Sequence, residues 1–244
     1  MIILDDLIND LSVDAPVRSI LVGLHWTVVC SRYCGMAATL MSCQAHGESQ
    51  VRGAGHLHSK TARELAEFAR SENPTEASIG VAAINSLLDV DESQAVEINA
   101  VEVLLENGRG KNVALVGHFP FIPRLRLAVG QLWVIEQQPI DGDYPAEAAP
   151  DLIPQADLVA ITSSALINHT LDGLLALCRP DVPVMLLGPS TPLSPRLFNH
   201  GISILSGSKI VDETALLRTV GQGATFQQVQ GARLLTFQRN VLVH

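Results

Sequence analysis

Apolar and polar positions change rhythm along this chain, and the change divides it in two. Residues 1–14 place Leu4, Leu7, Ile8 and Leu11 at three- and four-residue steps, with Asp5, Asp6 and Asp10 outside, which is a helical stripe. Residues 17–30 are rich in Val, Ile, Trp and Thr, residues 31–35 interrupt them, and residues 36–43 resume an extended apolar pattern. This predicts a small antiparallel hairpin or meander. Ser59 or Thr61 can cap a helix carrying Leu65, Phe68 and Ala69, and Asn73-Pro74-Thr75 closes it and opens the next. That next helix, through residues 79–88, is apolar almost all round and belongs in the interior. Asn85 within it either satisfies neighbouring backbone or faces a cleft.

An acidic linker at 89–93 and a helix over 95–106 follow, and the texture then changes. Residues 113–117, 132–136, 157–162, 182–188 and 202–205 are short continuous apolar runs ending in Gly, Glu, Thr or Leu, separated by helix-length segments. Runs of this kind are strands buried on both faces of a parallel sheet. The expected fold class is α/β: a smaller α+β unit over 1–92, then an open, doubly wound parallel sheet over 93–244.

In such a sheet the ligand sits outside the carboxyl ends of the strands. The strand-end residues are Gly117-His118-Phe119, then Glu136, then Thr162 followed by Asn168 and Thr170, then Gly188-Pro189-Ser190-Thr191-Pro192. Bulky His118 and Phe119 after Gly117 depart from the glycine-rich turn that cradles a pyrophosphate. Glu136 nevertheless lies 19 residues beyond Gly117, the spacing at which an acid reaches a ribose hydroxyl, or it caps a neighbouring turn. Three prolines fix the loop that carries Ser190 and Thr191, a rigidity useful where geometry matters.

Composition narrows the partners. Of 244 residues, 47% are hydrophobic and 17% charged, with a net charge of −9 and no basic run, so a phosphate-tracking surface is not expected. The start of the chain is acidic where a signal peptide needs basic charge, and no apolar stretch reaches the roughly 18 residues of a membrane span. A cytoplasmic protein without nucleic-acid or membrane partners is expected, with a homodimer as the base-rate assembly. Cys30, Cys34, Cys43 and Cys178 are then expected as thiols. Cys30, Cys34, Cys43, His46, His56 and His58 crowd together, but not at the paired spacing of closed zinc sites, and a strand period would scatter them over opposite faces.

Cys34-Gly35-Met36-Ala37, the 78–86 helix, Val116-Gly117-His118-Phe119-Pro120, Val134-Ile135-Glu136 with Gly142-Asp143-Tyr144-Pro145, Ile161-Thr162 with Asn168 and Thr170, Gly188-Pro189-Ser190-Thr191-Pro192, and Gly207-Ser208 before Val211-Asp212 occur in one order. Together they resemble the putative heavy-metal chelation family. The resemblance implies an enolase N-terminal-like α+β domain followed by a Rossmann-like domain, with one cleft between them. It implies a ligand site of Cys34, Gly35, Gly117, His118, Phe119, Thr162, Asn168, Thr170, Gly188, Ser190 and Thr191, with Glu136 and Asn85 as the catalytic candidates. The chain departs from the family pattern at Ser163-Ser164 and at His169.

The function so implied is binding or processing of a small heterocyclic or chelating molecule, such as a pterin, flavin precursor or siderophore-like compound, by condensation or hydrolysis if there is turnover. Glu136 would orient a hydroxyl or ring nitrogen or act as a base, and Phe119 would cover the ring. The alternatives are a non-catalytic protein for a metal or metal chelate and a nucleotide or S-adenosylmethionine enzyme. Neither cofactor nor metal is named by the sequence.

Overall fold

The computed structural model describes residues 1–41 and 50–239, so the expectations for Cys43 and His46 lie outside the described residues. The N-terminal stripe forms α1 (Ile2–Asn9), which buries Ile3, Leu4, Leu7 and Ile8. A three-stranded antiparallel meander follows, β1 (Ser19–Val22), β2 (Trp26–Cys30) and β3 (Cys34–Ala38). Thr61 opens α2 (Ala62–Ala66) with a capping box: its side chain accepts from the Glu64 N–H while the Glu64 carboxylate accepts from the Thr61 N–H. Asn73 caps α3 (Pro74–Leu87), whose Pro74 stands in the first turn, where no intrahelical N–H is needed.

The predicted helix over 95–106 begins later than expected. Val96 instead pairs with Thr236 in an isolated bridge, and Asn99 caps α4 (Ala100–Gly108). Beyond it run β4 (Asn112–Val116), α5 (Ile122–Arg126), β5 (Gln131–Glu136), β6 (Tyr144–Pro145), α6 (Ala149–Leu152), β7 (Leu158–Thr162), α7 (Ser164–Ile167) and α8 (Leu171–Ala176). The chain then forms β8 (Val184–Leu187), β9 (Ile204–Ile210), α9 (Glu213–Gly221) and β10 (Ala232–Gln238). The seven strands from β4 onward make one sheet in the order β10-β9-β8-β7-β4-β5-β6, parallel except for β10 against β9. The expected α/β class is present: a mostly parallel sheet and a separate small antiparallel one.

Both faces of the large sheet are covered, which is why its strands read as unbroken apolar runs. Val113, Leu115, Leu158, Ala160, Met185 and Leu187 point to one side, where α4 and α5 contribute Leu104 and Leu125. Ala114, Val159, Ile161, Val184, Leu186 and Leu205 point to the other and join one cluster with α1, α2, α3 and α7. The meander is likewise two-faced. Val29 and Ala37 pack toward α3, while Val28, Cys30 and Met36 pack on Leu216 and Val220 of α9.

Register corrects the expectation for the cysteines. Residues 31–33 make a tight turn that sets Cys30 opposite Cys34, so the two side chains emerge on the same face and are joined in a disulfide instead of standing as thiols on opposite faces. His56 and His58 are exposed and join no metal-ligand group among the described residues.

Candidate functional site

From β4 the sheet grows outward through β5 and β6 on one side and through β7, β8 and β9 on the other. Connections that leave in opposite directions open a crevice at the carboxyl ends of the two strands between them. Here that place is a cavity of about 1270 Å³. At the end of β4, Gly117 has φ of 104°, and a Cβ there would lie 3.0 Å from Thr162 Cβ at the end of β7. Glycine permits both the positive φ and the close approach.

The turn after β4 is held from the next strand. Glu136, closing β5, accepts the His118 N–H on Oε2 at 2.9 Å and the Gln137 N–H on Oε1 at 2.7 Å. Each carboxylate oxygen keeps a lone pair beyond these bonds. The His118 ring is oriented separately: its Nδ1 lies 2.9 Å from Asp143 Oδ2, and the Asp143 side chain is 2% exposed against 39% for His118. An ionised carboxylate only accepts, so Nδ1 carries the proton and Nε2 is the free ring nitrogen. Phe119 stacks on Phe121 with ring centroids 5.0 Å apart, and both rings stand on the cavity wall.

The opposite wall comes from β7 and β8. Thr162 Oγ1 accepts from the Ser164 N–H, and Asn168 Oδ1 accepts the Thr170 hydroxyl at 2.7 Å. Gly188, with φ of 119°, leaves β8 where a Cβ would meet Ser163 Oγ at 2.9 Å. Ser190 Oγ accepts the Ala38 N–H at 2.8 Å and so fixes the end of β3 beside the cavity. Trp26 of β2, edge-on to Phe226 at 5.6 Å, closes the rim from the meander side.

Of the residues expected at the site, Gly117, His118, Phe119, Glu136, Thr162, Asn168, Thr170, Gly188 and Ser190 stand on this wall, whereas Cys34, Gly35, Asn85 and Thr191 do not. Asn85 donates from Nδ2 to the Met36 and Ser190 carbonyls at 3.1 and 3.0 Å, joining β3 to the proline-rich loop. Thr191 is buried within that loop, and Gly35 is pressed against α3. Two residues were named from sequence, Asp143 within a motif and His169 as a departure from the family pattern, but neither was given a role at the site. Asp143 orients His118 across 25 residues of chain, and its one sequence signal is the turn it shares with Gly142, whose φ is 88°. His169 lines the wall with φ of 61°, held there by a 2.7 Å hydrogen bond from Nε2 to the Ala69 carbonyl.

Two family models match, both described as putative heavy-metal chelation, one over residues 4–88 and the other over residues 99–238. The chain belongs to the putative heavy-metal chelation family. An uncharacterised protein of Methanocaldococcus jannaschii is 30% identical over 195 residues, 75% of this chain and 73% of that one. A crystal structure of a DUF364-family protein of unknown function from Desulfitobacterium hafniense is similar with TM-score 0.85, 29% identity and coverage of 97% of this chain and 98% of that one. A second, from Pyrococcus horikoshii, has TM-score 0.81 at 20% identity with coverage of 97% and 98%, and shares the fold. No helix among the described residues is long and apolar enough to cross a membrane.

The family's description raises the question of where a metal would sit. His118, Glu136 and Asp143 do not gather into a ligand set, since the group of three donors within ligand distance among the described residues is Cys30, Cys34 and Glu213, away from the cavity wall. Nor is Cys178 a reactive thiol. Burial pushes it up to about 11, and its Sγ donates to the Leu174 carbonyl. Peptide-resolved alkylation with iodoacetamide at about pH 8 is expected to label Cys178 roughly a hundredfold more slowly than an unhindered cysteine, because so little thiolate is present.

Proposed function

We propose that the cavity binds or processes a small heterocyclic or chelating molecule of the pterin, flavin-precursor or siderophore-like kind, in a cleft between the two units, and that a heavy metal arrives as cargo within such a molecule's complex. The observation that carries this reading is the meeting of strand-end polar groups with stacked aromatic rings at the β4/β7 switch point. The Phe119 face not covered by Phe121 suits a planar ring. Thr162, Asn168 and Thr170 supply polar edges, and Gly117 and Gly188 let the backbone come close. The absence of a three-donor ligand set on the cavity wall among the described residues favours a ligand that brings its own metal donors.

If there is turnover by condensation or hydrolysis, proton handling falls to His118. Asp143 fixes its tautomer and orientation, so that Nε2 faces the ligand as the proton acceptor and can return the proton. Glu136 keeps the turn carrying His118 in place and offers its remaining lone pairs to a ligand hydroxyl or ring nitrogen. Asn85 acts at one remove, by holding the Ser190 carbonyl.

A native mass spectrum of the protein as purified, compared with its denatured mass, tests the reading. An organic mass retained in the native ion is expected. Glu136→Gln should weaken its retention on the order of tenfold, about 1.4 kcal/mol. A bare native mass, together with no thermal shift on adding a reduced pterin, a flavin or a ferric hydroxamate chelate, would overturn it. A shift with S-adenosylmethionine alone would instead favour the nucleotide alternative.

A further inference from the structure

The Cys30–Cys34 pair stands apart from the cavity, and its surroundings are not those of a structural staple. It closes a turn of three residues between strands already paired along their length, and a disulfide across so short a loop removes the least entropy from the unfolded chain. Glu213, in the first turn of α9, comes against it from the second unit. The two sulfurs and a Glu213 carboxylate oxygen lie within 4.8 Å of one another. Arg18 Nη1 holds Glu213 Oε2 at 2.7 Å and its Nε donates to the Ser31 carbonyl, which leaves Glu213 Oε1 unengaged by Arg18 and the carboxylate oriented toward the hairpin. Cys30 is fully buried and Cys34 is half-buried, so the pair is reachable from the Cys34 side.

We infer that reduced Cys30 and Cys34, with Glu213, form a binding site for a thiophilic divalent cation, and that the disulfide is the closed, metal-free form of that site. A dithiol reductant delivers two electrons, the S–S bond breaks, both sulfurs become thiols and the reductant leaves as a disulfide. Binding then replaces two S–H bonds with two S–metal bonds and releases two protons to solvent. Tetrahedral coordination with metal–sulfur bonds near 2.3 Å sets the sulfurs about 3.8 Å apart, a separation that rotation about the Cα–Cβ bonds can reach across a hairpin pair. Two thiolates, one carboxylate and a divalent cation sum to one negative charge, which the Arg18 guanidinium balances. Thiolate donors select zinc, cadmium and similar ions over magnesium or calcium, and three protein ligands leave a fourth position open for exchange.

The full chain is tested in two states, disulfide-oxidised and phosphine-reduced, each titrated with Co²⁺ and then with Zn²⁺. The reduced protein is expected to bind one equivalent with a thiolate-to-cobalt charge-transfer band that Zn²⁺ abolishes, and the oxidised protein to show no band. Cys34→Ser should remove the band, Glu213→Gln should keep it while weakening affinity on the order of tenfold, and Cys43→Ser with Cys178→Ala should leave it unchanged. A reduced protein without the band overturns the inference. So does a band of equal strength in the oxidised protein, or one that survives Cys34→Ser. The oxidised-against-reduced comparison uses the unaltered chain, so it decides even where a variant fails to fold.

Discussion

Gly35→Ala is expected to cost at least about 3 kcal/mol of folding stability while removing no ligand contact, an effect at the upper end of overpacking. A Cβ at Gly35 would lie 2.1 Å from the Ala82 carbonyl oxygen, 2.4 Å from the Ser86 nitrogen and 2.7 Å from the Asn85 carbonyl carbon. All three are backbone atoms of α3, which cannot step aside as the end of a flexible side chain can. To accept a methyl group, β3 must move off the helix, opening the interior around Val29, Ala37 and Ile84. Urea denaturation should show a lower midpoint with an unchanged slope. A Gly35→Ala protein of normal stability that has lost its cavity ligand would return Gly35 to the binding site and remove this account of it.

The second large effect lies at Glu76. Its carboxylate is 2% exposed, yet it accepts the Arg52 Nε at 3.0 and 2.9 Å, the Arg52 N–H at 2.7 Å and the Ser71 hydroxyl at 2.6 Å. Burial raises its pKa, but these bonds and the Arg52 charge outweigh burial and hold it below the ordinary 4.5. Arg52→Ala leaves a buried carboxylate with only the residue 52 N–H and Ser71, which should cost about 2 to 3 kcal/mol at neutral pH. Because the folded pKa is lowered, the unfolded chain binds more protons in this range. The stabilisation is therefore present above 4.5 and is lost as pH falls through the folded value. Urea midpoints measured from neutral pH downward should converge for the wild-type and Arg52→Ala proteins, and parallel curves would rule out this origin for acid sensitivity.

How much was legible in the sequence follows from how far each interaction reaches along the chain. The five central parallel strands were legible because burial on both faces writes an unbroken apolar run: β7 and β8 lie within the predicted spans, β4 and β5 begin one residue before theirs, and β9 overlaps its span only at its first two residues. β10 was not, since an antiparallel edge strand reading Ala-Arg-Leu-Leu-Thr-Phe-Gln lacks that signature, and two-residue β6 is too short to carry one. The start of α4 was placed early because Val96 looks like part of the apolar stripe, while its real partner is Thr236. At the candidate site, strand ends point to Gly117, Glu136, Thr162 and Gly188 through topology alone. Asn85 is different: its partner Ser190 lies 105 residues away, and nothing local says whether its amide meets backbone or ligand. The Cys30–Cys34 pairing depended on where the turn falls, because a shift of one residue in the hairpin sends one side chain to the other face.

One core cluster runs from α1 and α3 through α7 to a whole face of the large sheet, and ion pairs such as Asp10 with Arg196 and Arg18 with Glu213 cross the same boundary. The two sequence segments are therefore not beads on a string. Each supplies the other's missing inner surface, much as two halves of a mould define one casting, and severed at the 89–98 connection each would present a broad oily face to water. The wall residues Trp26 and Ser190 come from opposite sides of that shared surface. A single cooperative melting event would thus dissolve the cavity together with the scaffold, and heritable change in either segment must be accommodated by the other.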